Sequence, residues 1–391
     1  MVLMGEGALR RAARRESPER NRVSAFLRRA GGLTLRRRHV VLVVGLVLIA
    51  LSIWGITKIR VNNNMVAWFK SGSDIRVADR VINDNLGGSS LAYMVAEGNG
   101  PGSLASPASI RYIEGLQAEL MTLPIVGNTY SVADSVKMAN MMMNGNNPSA
   151  FFVPDSPEQV SQLLAAAAKP SDLEKNREKA NIQVQLKTWD ASAMDDVLEK
   201  TDAYIAANPA PAGITFRPAG IGYFNKVWND EVLGDMIRVF IIGAAMILLV
   251  LVIVFRSLKW AAVSFMPLLF TILIIFGALG FIGKDFDMPI AVLSTLSLGL
   301  AVDFAIHFVR RYRQRLETDP DIEQALLWTI SRPGKGIIRN AILFSATFSV
   351  MVFAALTPYI TVGFFIMSIV MVSAVLTLVY LPAIIRTFGL R

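Results

Sequence analysis

Residues 294–313 read STLSLGLAVDFAIHFVRRYR, a run suited to lipid except for one carboxylate, Asp303. Extended back to Met288 and closed at Val309, the run is long enough to cross the hydrocarbon of a bilayer as a helix. Asp303 then lies roughly 9 Å from the end of the span, at about 1.5 Å per residue. An ionised side chain at that depth costs at least a few kcal/mol, on the order of 2.5–3.5 on insertion scales, so intramembrane carboxylates face a protein interior or a watery cavity and usually carry function. Helical spacing puts Gly299, Asp303 and His307 on one face at i, i+4 and i+8, and Arg310 continues the stripe.

The whole chain agrees with this choice of solvent. Of its 391 residues, 53% are hydrophobic and only 18% charged, with a mean hydropathy of +0.46, which excludes an ordinary soluble globule. Six runs are long and apolar enough to span: 40–57, 235–255, 260–282, 288–309, 338–357 and 359–385. Between the first and second lies the long segment 58–234, so the organisation is one span, a large domain, then five spans.

Charge sets the expected orientation. Residues 1–39 hold eleven Arg against three Glu, and this basic segment stays in the cytoplasm by the positive-inside rule. Segment 58–234 carries fifteen Lys/Arg against nineteen Asp/Glu, as expected outside the membrane. The connection 310–337, with an amphipathic helix, returns inside, and both termini are then cytoplasmic. The formal net charge of +9 does not call for nucleic acid, because Arg-rich stretches beside spans set topology and attract anionic lipid. Trp54 and Lys58 stand where a signal peptide would carry small residues, so the first span reads as an uncleaved anchor. The chain has no cysteine, hence no disulfides.

Within 58–234, SSLAYMVAEG (89–98) alternates as a strand, SIRYIEGLQAELMTLP (109–124) has helical spacing and IVGNTYSV (125–132) returns as a strand. NIQVQLKTWD (181–190), SAMDDVLEKTDAYIAAN (192–208) and ITFRPAG (214–220) repeat the pattern, with Ser192 expected as the helix cap and Asp195 three residues on. Two strand–helix–strand units in sequence predict an α+β ferredoxin-like domain on a six-helix membrane protein. Between them lies an insert with a helix expected from Ser156. Its Met138, Met141, Met142 and Met143 have no His or Cys nearby, so they read as a greasy surface in preference to a soft copper site. Met141 and Met142, with Phe151 and Phe152, suit contact with an apolar substrate.

Enzyme classes find no support. G-x-S-x-G, H-E-x-x-H, a P-loop and a cysteine nucleophile are all missing, and histidines 39 and 307 cannot build a metal site with each other. Glycines such as those in GALGFIG lie inside a span and serve packing. With no phosphate-binding loop, the simplest energy source is an ion gradient, and no cofactor is expected. In that scheme Asp303 exchanges a proton, provided its apolar setting raises its pKa. His307 either passes that proton to the cytoplasm or only hydrogen-bonds the carboxylate. Gly299 lets another helix approach closely. On the fifth span Ser345 and Ser349 share a face and would hold a water near Asp303, or else bond back to their own helix.

The order of spans, the pattern GLAVDFAIHFVRRYR (299–313) and TYSVADSVKMAN (129–140) together resemble one repeat of the resistance–nodulation–division superfamily, in its MMPL-type and lipid-exporter branches. The resemblance covers about residues 40–388. It implies proton-driven export of lipids or other hydrophobic molecules from a bacterial inner membrane, with Asp303 as the coupling residue and 58–234 as a periplasmic porter domain. Members of that superfamily usually carry two such repeats, so a single repeat implies a homodimer about an axis along the membrane normal, or pairing with a different half. The alternative is a non-enzymatic accessory or lipid-sensing module, of the Sec-accessory or sterol-sensing kind.

Overall fold

The computed structural model describes residues 22–391 apart from 168, 170, 171 and 212, so the first 21 residues of the basic segment lie outside the described residues. Contacts divide the chain into two compact units, Asn62–Val232 and the helical remainder.

The basic segment carries a helix, α1 (Arg22–Arg36), and the first span is α2 (Arg38–Ile56). The unit Asn62–Val232 begins with α3 (Asp74–Asn85), capped by Ser73. There follow β1 (Ser90–Glu97), α4 (Pro107–Leu120), β2 (Val126–Ser131), α5 (Val132–Met143), α6 (Pro157–Ala167), β3 (Lys179–Leu186), α7 (Ser192–Ala207) and β4 (Thr215–Ala219). The strands form one sheet in the order β2-β3-β1-β4, every neighbouring pair antiparallel. In each β-α-β unit the two strands are thus separated by a strand of the other unit, which interleaves the two. Strict alternation explains which face is covered: Ala92, Met94 and Ala96 of β1 and Ile182, Val184 and Leu186 of β3 are buried, with their neighbours half-exposed. Ile110, Ile113 and Leu116 of α4 and Met194 and Val197 of α7 complete that core.

Two details of this unit differ from expectation. Ser192 does not cap α7; the N-cap is Ala191 in a helical conformation with no side-chain hydrogen bond, and Asp195 pairs instead with Lys226 at 2.7 Å. The capping box belongs to α5, where Ser131 Oγ accepts from the Ala133 amide at 3.1 Å and Asp134 Oδ2 accepts from the Ser131 amide at 3.0 Å. At the start of α6 Ser156 does act as a cap, accepting from the Gln159 amide at 3.3 Å.

Helix α8 (Gly220–Phe255) has 36 residues; its polar start, up to Val232, is assigned to the unit Asn62–Val232, and its apolar remainder holds the second span. Next come α9 (Leu258–Ile282), α10 (Met288–Leu316), α11 (Ile322–Ser331), α12 (Pro333–Ser349), α13 (Thr357–Val375) and, beyond a π turn at Leu376–Tyr380, α14 (Leu381–Phe388). The π turn sits where Pro382 denies the carbonyl of Leu378 its amide partner. Among the described residues six stretches, Arg38–Ile56, Gly220–Phe255, Leu258–Ile282, Met288–Leu316, Ile322–Phe353 and Thr357–Phe388, are long and apolar enough to cross a membrane. The chain is a multi-pass membrane protein.

Glycine decides how α2 meets α9. A Cβ on Gly55 would lie 2.3 Å from the Gly277 carbonyl oxygen, and one on Gly277 only 2.4 Å from the Ser52 Cα, so the backbones touch directly. The packing role read from GALGFIG (277–283) is what the structure shows for Gly277 and Gly280. The second half of the basic segment packs as well: Leu27 and Leu35 of α1 are buried, and Gly31 sits under Ile330 of α11.

Candidate functional site

Helix α10 starts at a built cap. Asp287 Oδ1 accepts from the Ile290 amide at 3.3 Å, Lys284 pairs with Asp287 at 2.8 Å, and Pro289 occupies the first turn. From there the helix has two distinct faces. Leu298, Val302, Ala305, Phe308, Val309 and Tyr312 are buried in the bundle. The opposite stripe holds Val292, Leu296, Gly299, Asp303, His307 and Arg310, all exposed.

Asp303 and His307 meet as the spacing requires, Oδ1 to Nε2 at 3.4 Å, and their side chains are 55% and 68% exposed respectively. The carboxylate is thus not sunk among this chain's own helices. It lies on the open side of α10, where a Cβ on Gly299 would meet nothing within 4 Å among the described residues. Among the described residues no helix makes the close approach expected at Gly299.

Asp303 and His307 line a hollow of about 520 Å³ between α10 and α12, together with Phe304 and Arg311. Across it α12 contributes Arg339 and Asn340. These two were not singled out from the sequence, although a cation and an amide inside a candidate span are as conspicuous as Asp303. They lie three and four residues beyond Gly336, which lines the same hollow, and those spacings set them on one side of α12. The hydroxyls singled out instead do not line the hollow. Ser349 Oγ donates to the Ala346 carbonyl at 2.7 Å and Thr347 to Leu343 at 2.9 Å, the back-bonding alternative. Ser345 Oγ is buried and has no hydrogen-bond partner among the described residues.

In the unit Asn62–Val232 the expected apolar contact residues do come together. Met142 and Met143 end α5 exposed, Met141 is half-buried, and Phe151 and Phe152 are exposed just beyond. Asn140 fixes that segment by donating to the carbonyls of Ala150 at 2.8 Å and Phe152 at 3.1 Å. Lys137 stands 5.0 Å from the Phe151 ring centre and pairs with Glu114 at 2.9 Å and Asp134 at 3.2 Å. Burial pulls its pKa down, but the two carboxylates together outweigh it and hold the ammonium above its ordinary value.

Comparison with known proteins bears on this arrangement. The family model described as the MMPL family matches residues 73–391. A membrane protein of Methanocaldococcus jannaschii is 26% identical over 49% of this chain and 48% of its own length. The trehalose monomycolate exporter MmpL3 of Mycobacterium tuberculosis is 24% identical over 61% of this chain and 26% of its own length. The chain therefore spans about half or less of the length of these relatives. Among solved structures, the hedgehog release protein Disp from the water bear Hypsibius dujardini shares the fold with a TM-score of 0.58 at 13% identity, over 93% of this chain and 49% of that one.

Proposed function

The chain belongs to the MMPL family, and from that premise we propose that it is a secondary transporter exporting lipids or other hydrophobic molecules, driven by the proton gradient. The observation that carries this reading is the Asp303–His307 pair, 3.4 Å apart on the open face of a candidate membrane helix. A carboxylate set at membrane depth is costly, and proteins keep such groups for ion transfer. Arg311 and Arg339 line the same hollow, so a proton arriving at Asp303 changes the net charge of a site already containing two guanidiniums. That change supplies the differential interaction needed to move α10 against α12.

The exposed stripe Gly299–Asp303–His307 also supports a dimer. A second copy, or a second half of the same superfamily, would cover the polar face from lipid and bring two Asp303 residues toward one axis. The strand order β2-β3-β1-β4 supports reading the unit Asn62–Val232 as a ferredoxin-like porter domain. On this reading it lies outside a bacterial inner membrane, both termini are cytoplasmic, and Met141, Met142, Phe151 and Phe152 touch the substrate. The names of the mycobacterial exporter and of the hedgehog release protein fit a hydrophobic cargo. The test is reconstitution into vesicles carrying a fluorescent lipid-like probe. Efflux that follows an imposed pH gradient supports the reading, and efflux indifferent to the gradient, or none, counts against it.

A further inference from the structure

A second polar hollow, of about 370 Å³, lies where α1, the end of α10 and α11 meet. Its wall is basic: Arg28 from α1, Arg315 from α10 and Arg332 just after α11, against a single carboxylate, Asp319. That carboxylate is already engaged, accepting from Arg315 at 3.1 Å. Arg28 and Arg332 have no ion-pair partner among the described residues, and Arg315 Nε is buried without a hydrogen bond. Two of the guanidiniums are stacked on one indole, with Arg315 at 5.6 Å and Arg332 at 5.8 Å from the Trp328 ring centre. Trp328 gathers positive charge in one place, and a fork of donors is the chemistry that grips phosphate oxygens.

The depth of the hollow points the same way. Helix α1 runs into the span α2 with only Arg37 between them, which ties it to the membrane surface. Its exposed residues mix Phe26 and Leu33 with Arg22, Arg29 and Arg36, the composition of a helix lying at headgroup level. Basic pockets beside spans on the cytoplasmic side suit anionic headgroups. We infer that Arg28, Arg315 and Arg332, arranged around Trp328, form a binding site for the phosphate of an anionic lipid headgroup. The site is distinct from the Asp303 hollow and does not depend on the transport reading.

The experiment uses the full chain, purified in detergent and titrated with phosphatidylglycerol under native mass spectrometry. The pocket pair Arg28→Gln with Arg332→Gln is compared with an equal loss of charge outside the pocket, Arg22→Gln with Arg29→Gln. Wild type and the Arg22/Arg29 variant are expected to bind alike, and the pocket variant at least about tenfold more weakly, as loss of charged hydrogen bonds implies. Arg28→Gln alone, at an exposed position, is expected to weaken binding by about threefold or more and provides the reading if the pair fails to fold. Competition by millimolar inorganic phosphate assigns the site to free phosphate as well; no competition assigns it to the lipid. Equal weakening in both pairs, or weakening in neither, overturns the site.

Discussion

The carboxylate of Asp303 and the imidazole of His307 stand 3.4 Å apart on the exposed side of α10, with more than half of each side chain open. In water such a pair would be unremarkable, worth well under about 1 kcal/mol. In a span it is an uncovered polar site, and the cost of leaving it against lipid is the physical reason to expect a second copy of the chain over that face.

Self-association is therefore expected to depend on Gly299. A side chain there meets nothing within 4 Å inside the chain, so Gly299→Leu leaves the fold intact while obstructing a partner helix. Oligomer mass measured on complexes released from native membranes should shift from dimer to monomer. An unchanged dimer in the variant would place the interface elsewhere.

Packing between α2 and α9 should be intolerant of a single methyl group. Gly277→Ala sets a Cβ 2.4 Å from the Ser52 Cα and must push two backbones apart, at a cost of about 1–3 kcal/mol. Gly234→Ala, on α8 with nothing within 4 Å, should instead be neutral or stabilising by up to about 1 kcal/mol. Thermal unfolding in detergent checks both, and equal midpoints for the two variants would contradict the direct backbone contact.

Lys137 gives a pH prediction. Burial opposes its charge, yet Glu114 at 2.9 Å and Asp134 at 3.2 Å hold its folded-state pKa above the ordinary 10.5. A raised pKa means that the stabilisation is fully present below 10.5 and is lost as pH climbs through the higher folded-state value. Lys137→Met should lose about 1–3 kcal/mol at neutral pH by leaving the carboxylates unpaired. The gap to wild type should close in strongly alkaline buffer, as read by denaturant unfolding; a gap constant through that range would assign the loss to packing alone.

Much of this architecture is legible in the sequence because two periodicities differ so plainly. Alternation in 89–98 and 181–190 sets strands β1 and β3, and uninterrupted apolar runs set the spans. What escapes is whatever depends on neighbours. The full length of α8 is invisible because its start is polar and held by ion pairs such as Lys226 with Asp195 and Asp230. Helix α1 hides in an Arg-rich segment whose apolar residues find their partner, α11, some 300 positions later. The stripe at Gly299, Asp303 and His307 follows from helical geometry alone, but its exposure does not. Nor do Arg339 and Asn340, which join Asp303 only through the crossing of α12 with α10.

The central claim is that Asp303 is the group whose protonation drives transport, and its most direct test is proton-driven efflux by Asp303→Asn protein reconstituted in vesicles. Asparagine keeps the shape and removes the titration. Correctly folded Asp303→Asn protein should show efflux reduced at least about tenfold, toward the protein-free background, while Asp303→Glu recovers part of it. Full gradient-dependent efflux from Asp303→Asn would contradict the account.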